Sequence, residues 1–283
     1  MFTEREIHLD TSAFPKKAVI YENPDIPPKA CLLYFHGGGL LYGTKKDLPS
    51  LHLELLTSAG YLIVSYDYPL APAAKLETIV ADVEASIRHY TEQPSLYYRK
   101  PLPYFLWGRS AGAYLCLLAA AKNAFPTPPK GILSFYGYGF LCDDWFCTPS
   151  PYYCTLPEVP SSCLDAIKDE IITEGDLNTR YSLYVYARQS GQWKSLIYEG
   201  RDKTFYLDYS LRTCDRLPCP LFCAHSTGDT DVPYAEFLEL CRKYRAQRFV
   251  VSRSLHDFDR DESDPAARKL LESTISFMEQ SLQ

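Results

Sequence analysis

Short, fully apolar runs recur along the chain at 31–35, 61–66, 104–107, 132–135, 221–224 and 249–252, each of strand length and each closed by a polar or glycine-bearing turn. Runs that do not alternate with polar residues predict strands buried on both faces, as in a mostly parallel sheet covered on its two sides. Between the second and third runs, Leu76, Ile79, Val80, Val83, Ile87 and Tyr90 repeat at helical spacing, so this stretch lays one apolar stripe on the sheet. Further helices are predicted over 48–58, 111–124, 234–246 and 265–282. Strand and helix thus alternate, which requires right-handed crossovers and gives an α/β class. The alternation breaks over 140–216, where aromatic, proline-containing and polar sequence takes over. Flexible linkers carry few aromatics, so 140–216 reads as a small inserted cap, and 1–139 with 217–283 as the core that carries it.

Composition narrows the function classes. The 283 residues include 46% apolar and 23% charged side chains, ordinary for a globular protein, with a formal net charge of -6. Without a dense basic block, a nucleic-acid partner is disfavoured. The first residues, Met1-Phe2-Thr3-Glu4-Arg5-Glu6, lack the basic and apolar regions of an export signal, and no apolar run is long enough to span a bilayer. A cytoplasmic location is the expectation. In that compartment the ten cysteines read as reduced thiols. Cys142, Cys147, Cys154 and Cys163 cluster without a C-x-x-C pair and read as small buried hydrophobes; no metal or organic cofactor is implied.

The sharpest chemical signal is Gly108-Arg109-Ser110-Ala111-Gly112, between the strand at 104–107 and the helix that begins at Ala111. A serine on so tight a strand-to-helix turn is held exposed and strained, and the glycines on either side leave room for the backbone to fold around it. Ser110 is the candidate nucleophile. A second signal, His36-Gly37-Gly38-Gly39, follows the strand at 31–35. Its bare peptide N–H groups can receive a developing oxyanion, with Gly38 and Gly39 as donors and the N–H of Ala111 as a third. His36 reads as a brace for this loop.

A serine hydroxyl needs a neighbouring base. Of the six histidines, His8 lies near the start, His52 and His89 fall on predicted helices, and His36 belongs to the glycine loop. His225 and His256 remain, each after a strand. In a hydrolase built on such a turn the partners follow in the order serine, acid, histidine, which selects His256. The acid then lies in His225-Ser226-Thr227-Gly228-Asp229-Thr230-Asp231, where Asp229 is preferred over Asp231. His225 is left as a structural brace.

These residues resemble the α/β-hydrolase esterases similar to hormone-sensitive lipase, with the related bacterial carboxylesterases and dienelactone-type hydrolases. The glycine loop and the serine turn carry the likeness, together with Tyr66-Asp67-Tyr68-Pro69-Leu70-Ala71-Pro72 and Asp229 ahead of Val232-Pro233. It runs through about residues 30–120 and 217–260. Asp67 stands where the group commonly has arginine, and 140–216 matches nothing that can be transferred. The resemblance implies an α/β-hydrolase fold and acyl transfer, with a small carboxylic ester as the leading substrate. An amidase, such as an aminopeptidase or aryl formamidase, shares the same motifs, and a ligand-binding protein on a silenced hydrolase is the non-enzymatic alternative. The sequence leaves the oligomeric state open, a homo-oligomer included.

Overall fold

The protein is described here from a computed structural model that covers residues 1–9, 14–122, 125–165, 167 and 170–283. Its strands are β1 (Thr3–Leu9), β2 (Lys16–Glu22), β3 (Ala30–Phe35), β4 (Tyr61–Tyr66), β5 (Tyr104–Arg109), β6 (Ile132–Phe135), β7 (Leu221–Ser226) and β8 (Gln247–Val251). They form one eight-stranded sheet in the order β1-β2-β4-β3-β5-β6-β7-β8. From β4 through β8 all neighbours are parallel, while β1 and β2 pair antiparallel at one edge.

All six expected strands are present, and the two N-terminal ones are additions. β1 carries Glu4, Arg5 and Glu6 outward at the sheet's rim, a charged edge that discourages further pairing and hides the strand from an apolar-run criterion. In β2 the buried apolar stretch is confined to Ala18, Val19, Ile20 and Tyr21.

The described helices are α1 (Ser50–Ser58), α2 (Leu76–Glu92), α3 (Ala111–Ala121), α4 (Leu177–Ser190), α5 (Trp193–Ile197), α6 (Asp202–Asp208), α7 (Tyr234–Tyr244) and α8 (Pro265–Leu282). Because successive strand residues point to opposite faces, Leu32 and Tyr34 of β3 enter the core under α1 and α8, while Leu33 and Phe35 enter the one under α2, α3 and α7. Helix ends differ locally from the sequence reading. The helix expected from 48 begins at Ser50, because Pro49 is extended; that expected to 246 stops at Tyr244, where Arg245 turns left-handed with φ 53°. Residues 123–124 of the helix expected over 111–124 lie outside the described residues, as do 166, 168 and 169 of the segment 140–216.

Between β6 and β7 the chain is more regular than its composition suggested. α4 begins where the Asp176 side chain accepts the N–H groups of Asn178 and Thr179 at 2.9 and 3.2 Å and ends on Gly191 at φ +70°, a capped start and a glycine stop. The cysteines of this segment correct the expectation of burial. Cys142, Cys147 and Cys163 are half-buried, Cys154 is exposed, and all four are free thiols. Cys142 and Cys147 pack against the core without being enclosed by it.

One buried carboxylate ties the start of this segment to the core. Glu236, in the first turn of α7, is fully buried and accepts N–H groups from Gly139 at 3.0 Å, Phe140 at 2.9 Å and Cys142 at 2.6 Å, with Trp145 Nε1 at 3.3 Å. Each of these donors loses its partner if the carboxylate is removed, at about 1–3 kcal/mol per buried group. Glu236→Leu should therefore lower the unfolding free energy by about 3 kcal/mol or more, read as a lower urea midpoint, and a midpoint equal to that of the parent protein would contradict this role.

Candidate active site

The strand order reverses direction at one place. After β3 the chain steps outward to β4, then returns to lay β5 on the other side of β3 and continues to β6, β7 and β8. Crossovers above and below the sheet part there, which opens a crevice at the carboxyl ends of β3 and β5. Phe35 pairs in register with Gly108, so the glycine loop and the serine turn leave the sheet side by side. A Cβ on Gly37 would stand 3.4 Å from that of Ser110.

Ser110 sits at φ 51°, ψ -118°, a conformation that costs a side-chain-bearing residue of order 1–3 kcal/mol. The surrounding structure enforces it. The Ser110 N–H is held by Phe135 O at 2.9 Å, and α3 begins at the next residue. Gly108 and Gly112 are required by close approach: a Cβ on the first would collide with the backbone of Gly112 and Ala113, and one on the second with the carbonyls of Phe35 and His36. Gly38 and Gly39 take φ of +96° and +58°, and the carbonyl of Gly38 accepts the N–H of Leu41 at 3.0 Å. Both line the same cavity as Ser110 and His256, while Ala111 opens α3 immediately behind the serine.

His256 bridges the other two residues picked out from the sequence. Its Nε2 is 2.8 Å from Ser110 Oγ and its Nδ1 is 2.7 Å from Asp229 Oδ2. The loops that carry them are laced together, since Thr227 N–H reaches Val251 O at 3.0 Å and Gly228 N–H reaches Arg253 O at 2.9 Å. Asp229 is aimed by its own turn, its Oδ1 accepting the N–H groups of Asp231 and Val232 at 2.8 and 2.9 Å. Burial alone would raise the Asp229 carboxyl, but the His256 charge and hydrogen bond beside it hold it below the usual range. For His256 burial opposes protonation, yet the carboxylate and hydrogen bond of Asp229, with Asp231 and Asp257, outweigh it and raise the imidazole to about 9.

Two other histidines, His225 and His36, have structural partners. His225 is buried and holds Val232 O at 3.1 Å; burial pushes its pKa down, so it braces the acid loop as a neutral ring. His36 contacts Gly37 O at 2.8 Å and stacks on Tyr68. Asp67, the departure from the resembled pattern, is buried against Lys45, accepting its N–H at 2.7 Å and its Nζ at 2.6 Å.

Sequence reasoning missed a buried charge cluster beneath the site. Arg109, 1% exposed, donates to Tyr136 OH and lies 3.4 Å from Asp259, which also faces His52 Nε2 at 2.8 Å. Burial would raise the Asp259 carboxyl, but Arg109 and His52 hold it well below the usual carboxylate range. The residue ahead of the serine is thus tied to the loop that carries His256. A charged residue at the end of an otherwise apolar strand was the available signal.

A cavity of about 540 Å³ opens over Ser110 and His256, and Tyr42, Tyr152, Tyr153, Tyr181 and Tyr184 contribute to its wall. Four of these five come from the stretch between β6 and β7. Among the described residues no group of three or more His, Cys, Asp and Glu side chains is arranged to hold a metal, and no helix is long and apolar enough to cross a membrane.

The sequence pattern of the alpha/beta hydrolase fold family matches residues 32–188. A solved protein of unknown function from Staphylococcus aureus subsp. aureus Mu50 is 28% identical and superposes at a TM-score of 0.84, covering 99% of this chain and 100% of that one. An alpha/beta hydrolase superfamily protein from Enterococcus faecalis is 26% identical at a TM-score of 0.83, covering 98% and 99%. Among curated proteins, the non-reducing polyketide synthase adrD of Penicillium roqueforti is 26% identical over 89% of this chain, which spans 12% of that protein's length. Matched over more than half its length, the chain belongs to the alpha/beta hydrolase fold family.

Proposed function

We propose that the protein is a serine hydrolase that cleaves small carboxylic esters through an acyl-enzyme, with Ser110 as nucleophile, His256 as general base and Asp229 as its orienting acid. The observation that carries this reading is the continuous contact from Asp229 through both nitrogens of His256 to Ser110 Oγ, at 2.7 and 2.8 Å. Ser110 Oγ attacks the acyl carbonyl as Nε2 takes its proton. Asp229 holds Nδ1–H and stabilises the imidazolium. The N–H groups of Gly38, Gly39 and Ala111 receive the oxyanion, and the imidazolium then protonates the leaving oxygen. Water, deprotonated by the same imidazole, releases the acid.

In this reading the segment 140–216 is a cap, and its tyrosines shape the acyl pocket. A cavity of about 540 Å³ suits a compact substrate. A polyketide-type acyl substrate is a second candidate, favoured by the likeness to a non-reducing polyketide synthase.

Ser110→Ala should reduce hydrolysis of a short p-nitrophenyl ester by about 10⁴-fold or more, and abolish labelling by a fluorophosphonate probe; residual turnover near the parent level would refute the nucleophile. Asp229→Asn, which leaves the imidazole without its orienting carboxylate, should lower kcat by about 10⁴-fold, measured on the same ester. The pH dependence has a definite sign. His256 must be neutral to accept the serine proton, and its pKa is raised to about 9, so kcat/KM should climb with pH up to that value and level off above it. A profile between pH 6 and 10 that is flat, or that falls with rising pH, would rule out His256 as the base.

A further inference from the structure

His256 has a carboxylate near each of its nitrogens. Asp229 takes Nδ1, and Asp231 Oδ2 lies 3.9 Å from Nε2, the nitrogen that faces Ser110. Asp231 is 7% exposed and lines the cavity. Both its oxygens accept from Tyr184 OH, at 2.8 and 2.9 Å, and its Oδ1 lies 3.2 Å from Arg188 Nε. Arg188 also donates to the Asp231 backbone carbonyl and to Trp145 O, each at 3.0 Å. Tyr184 and Arg188 are one helical turn apart on α4, so a single face of that helix grips this carboxylate.

Closing the acid loop does not need this grip, because Asp229 Oδ1 already accepts the N–H groups of Asp231 and Val232. The arrangement has another consequence. A fixed, partly desolvated carboxylate within about 4–6 Å of a ring that gains positive charge favours the charged form, and the proton taken from Ser110 arrives at the nitrogen nearest Asp231.

We propose that Asp231 is a positioning residue of the hydrolytic site: a second carboxylate, held by Tyr184 and Arg188, that stabilises the His256 imidazolium from the Nε2 side and couples α4 to the strength of the base. The proposal rests on the Ser110–His256 reading given above. The charged and titratable groups around His256 are Asp229 and Asp231 from the turn after β7, the adjoining Asp257, His225 behind Asp229, Ser110, and Tyr136 with its ring 4.7 Å away. Around Asp231 stand Tyr42, Tyr138, Tyr153 and Tyr181, besides the two residues that grip it. Burial raises the pKa of all four tyrosines, so they stay neutral, and Tyr184 and Arg188 of α4 supply the side-chain contacts to the Asp231 carboxylate.

The test is an NMR titration of the His256 imidazole in the Ser110→Ala protein, beside the pH profile of kcat/KM in proteins that keep Ser110. Adding Asp231→Asn should move the midpoint down by about one pH unit, and Asp231→Glu should restore part of that shift. Tyr184→Phe keeps the ring and removes the hydroxyl that disperses the carboxylate's charge, so it should move the midpoint up. A midpoint unchanged in Asp231→Asn overturns the proposal. If that variant does not fold, an unchanged or lowered midpoint in Tyr184→Phe does the same. Opposite shifts in the imidazole titration, in a protein that hydrolyses no ester, would support the coupling while removing the esterase reading.

Discussion

The site depends on one geometric constraint: a parallel sheet places the carboxyl ends of all its strands along one edge. Ser110 follows β5, Asp229 follows β7 and His256 follows β8, so residues far apart in sequence leave the sheet on the same side, beside the glycine loop that follows β3. The reversal of strand order between β3 and β5 leaves that edge open where the serine turn emerges. A one-residue change in the register of β3 with β5 would move the glycine loop off the serine, and the pairing of Phe35 with Gly108 is what prevents it.

Strand ends alone do not hold side chains within hydrogen-bond reach, and the structure adds two sets of buried polar contacts. Beneath the site, Arg109 and Asp259 join the serine turn to the histidine loop, with His52 as a further partner of the carboxylate. Removing one member of such a buried pair leaves an uncompensated charge, which is far more costly than the pair itself is stabilising. Above the site, Tyr184 packs over Gly39, where any Cβ would strike its ring, and reaches Asp231 with its hydroxyl. One tyrosine of α4 therefore contacts both the glycine loop and the acid loop, and through Glu236 the start of the same segment is fastened to α7.

Family membership fixes the scaffold and the class of chemistry to be tested, and the side chains that line the cavity decide what can enter it. Its wall is rich in tyrosine, and Tyr152, Tyr153, Tyr181 and Tyr184 come from 140–216, the stretch for which the resemblance offered nothing. Loops and helices over a cavity can carry its chemistry while the sheet below holds them in place.

Much was legible from the sequence because it is governed by short-range rules. Apolar runs at strand length marked the six strands from β3 to β8, and the glycines around Ser110 announced a turn that only residues without a Cβ can close. Chain order separated His256 from His225, since the connections of a parallel sheet fix the sequence in which its strand ends arrive. Other features had no local signature. β1 was hidden because an edge strand carries charges outward; Arg109, His52 and Asp259 are scattered over more than 200 positions and meet only inside the fold; and Tyr184 is one of several similar tyrosines until α4 is laid across the cavity. The sequence by itself determined which residue types stand at the strand ends, because backbone sterics and burial act along the chain. Tertiary structure alone decided which side chains touch, because distance through space depends on register and packing, which no local pattern encodes.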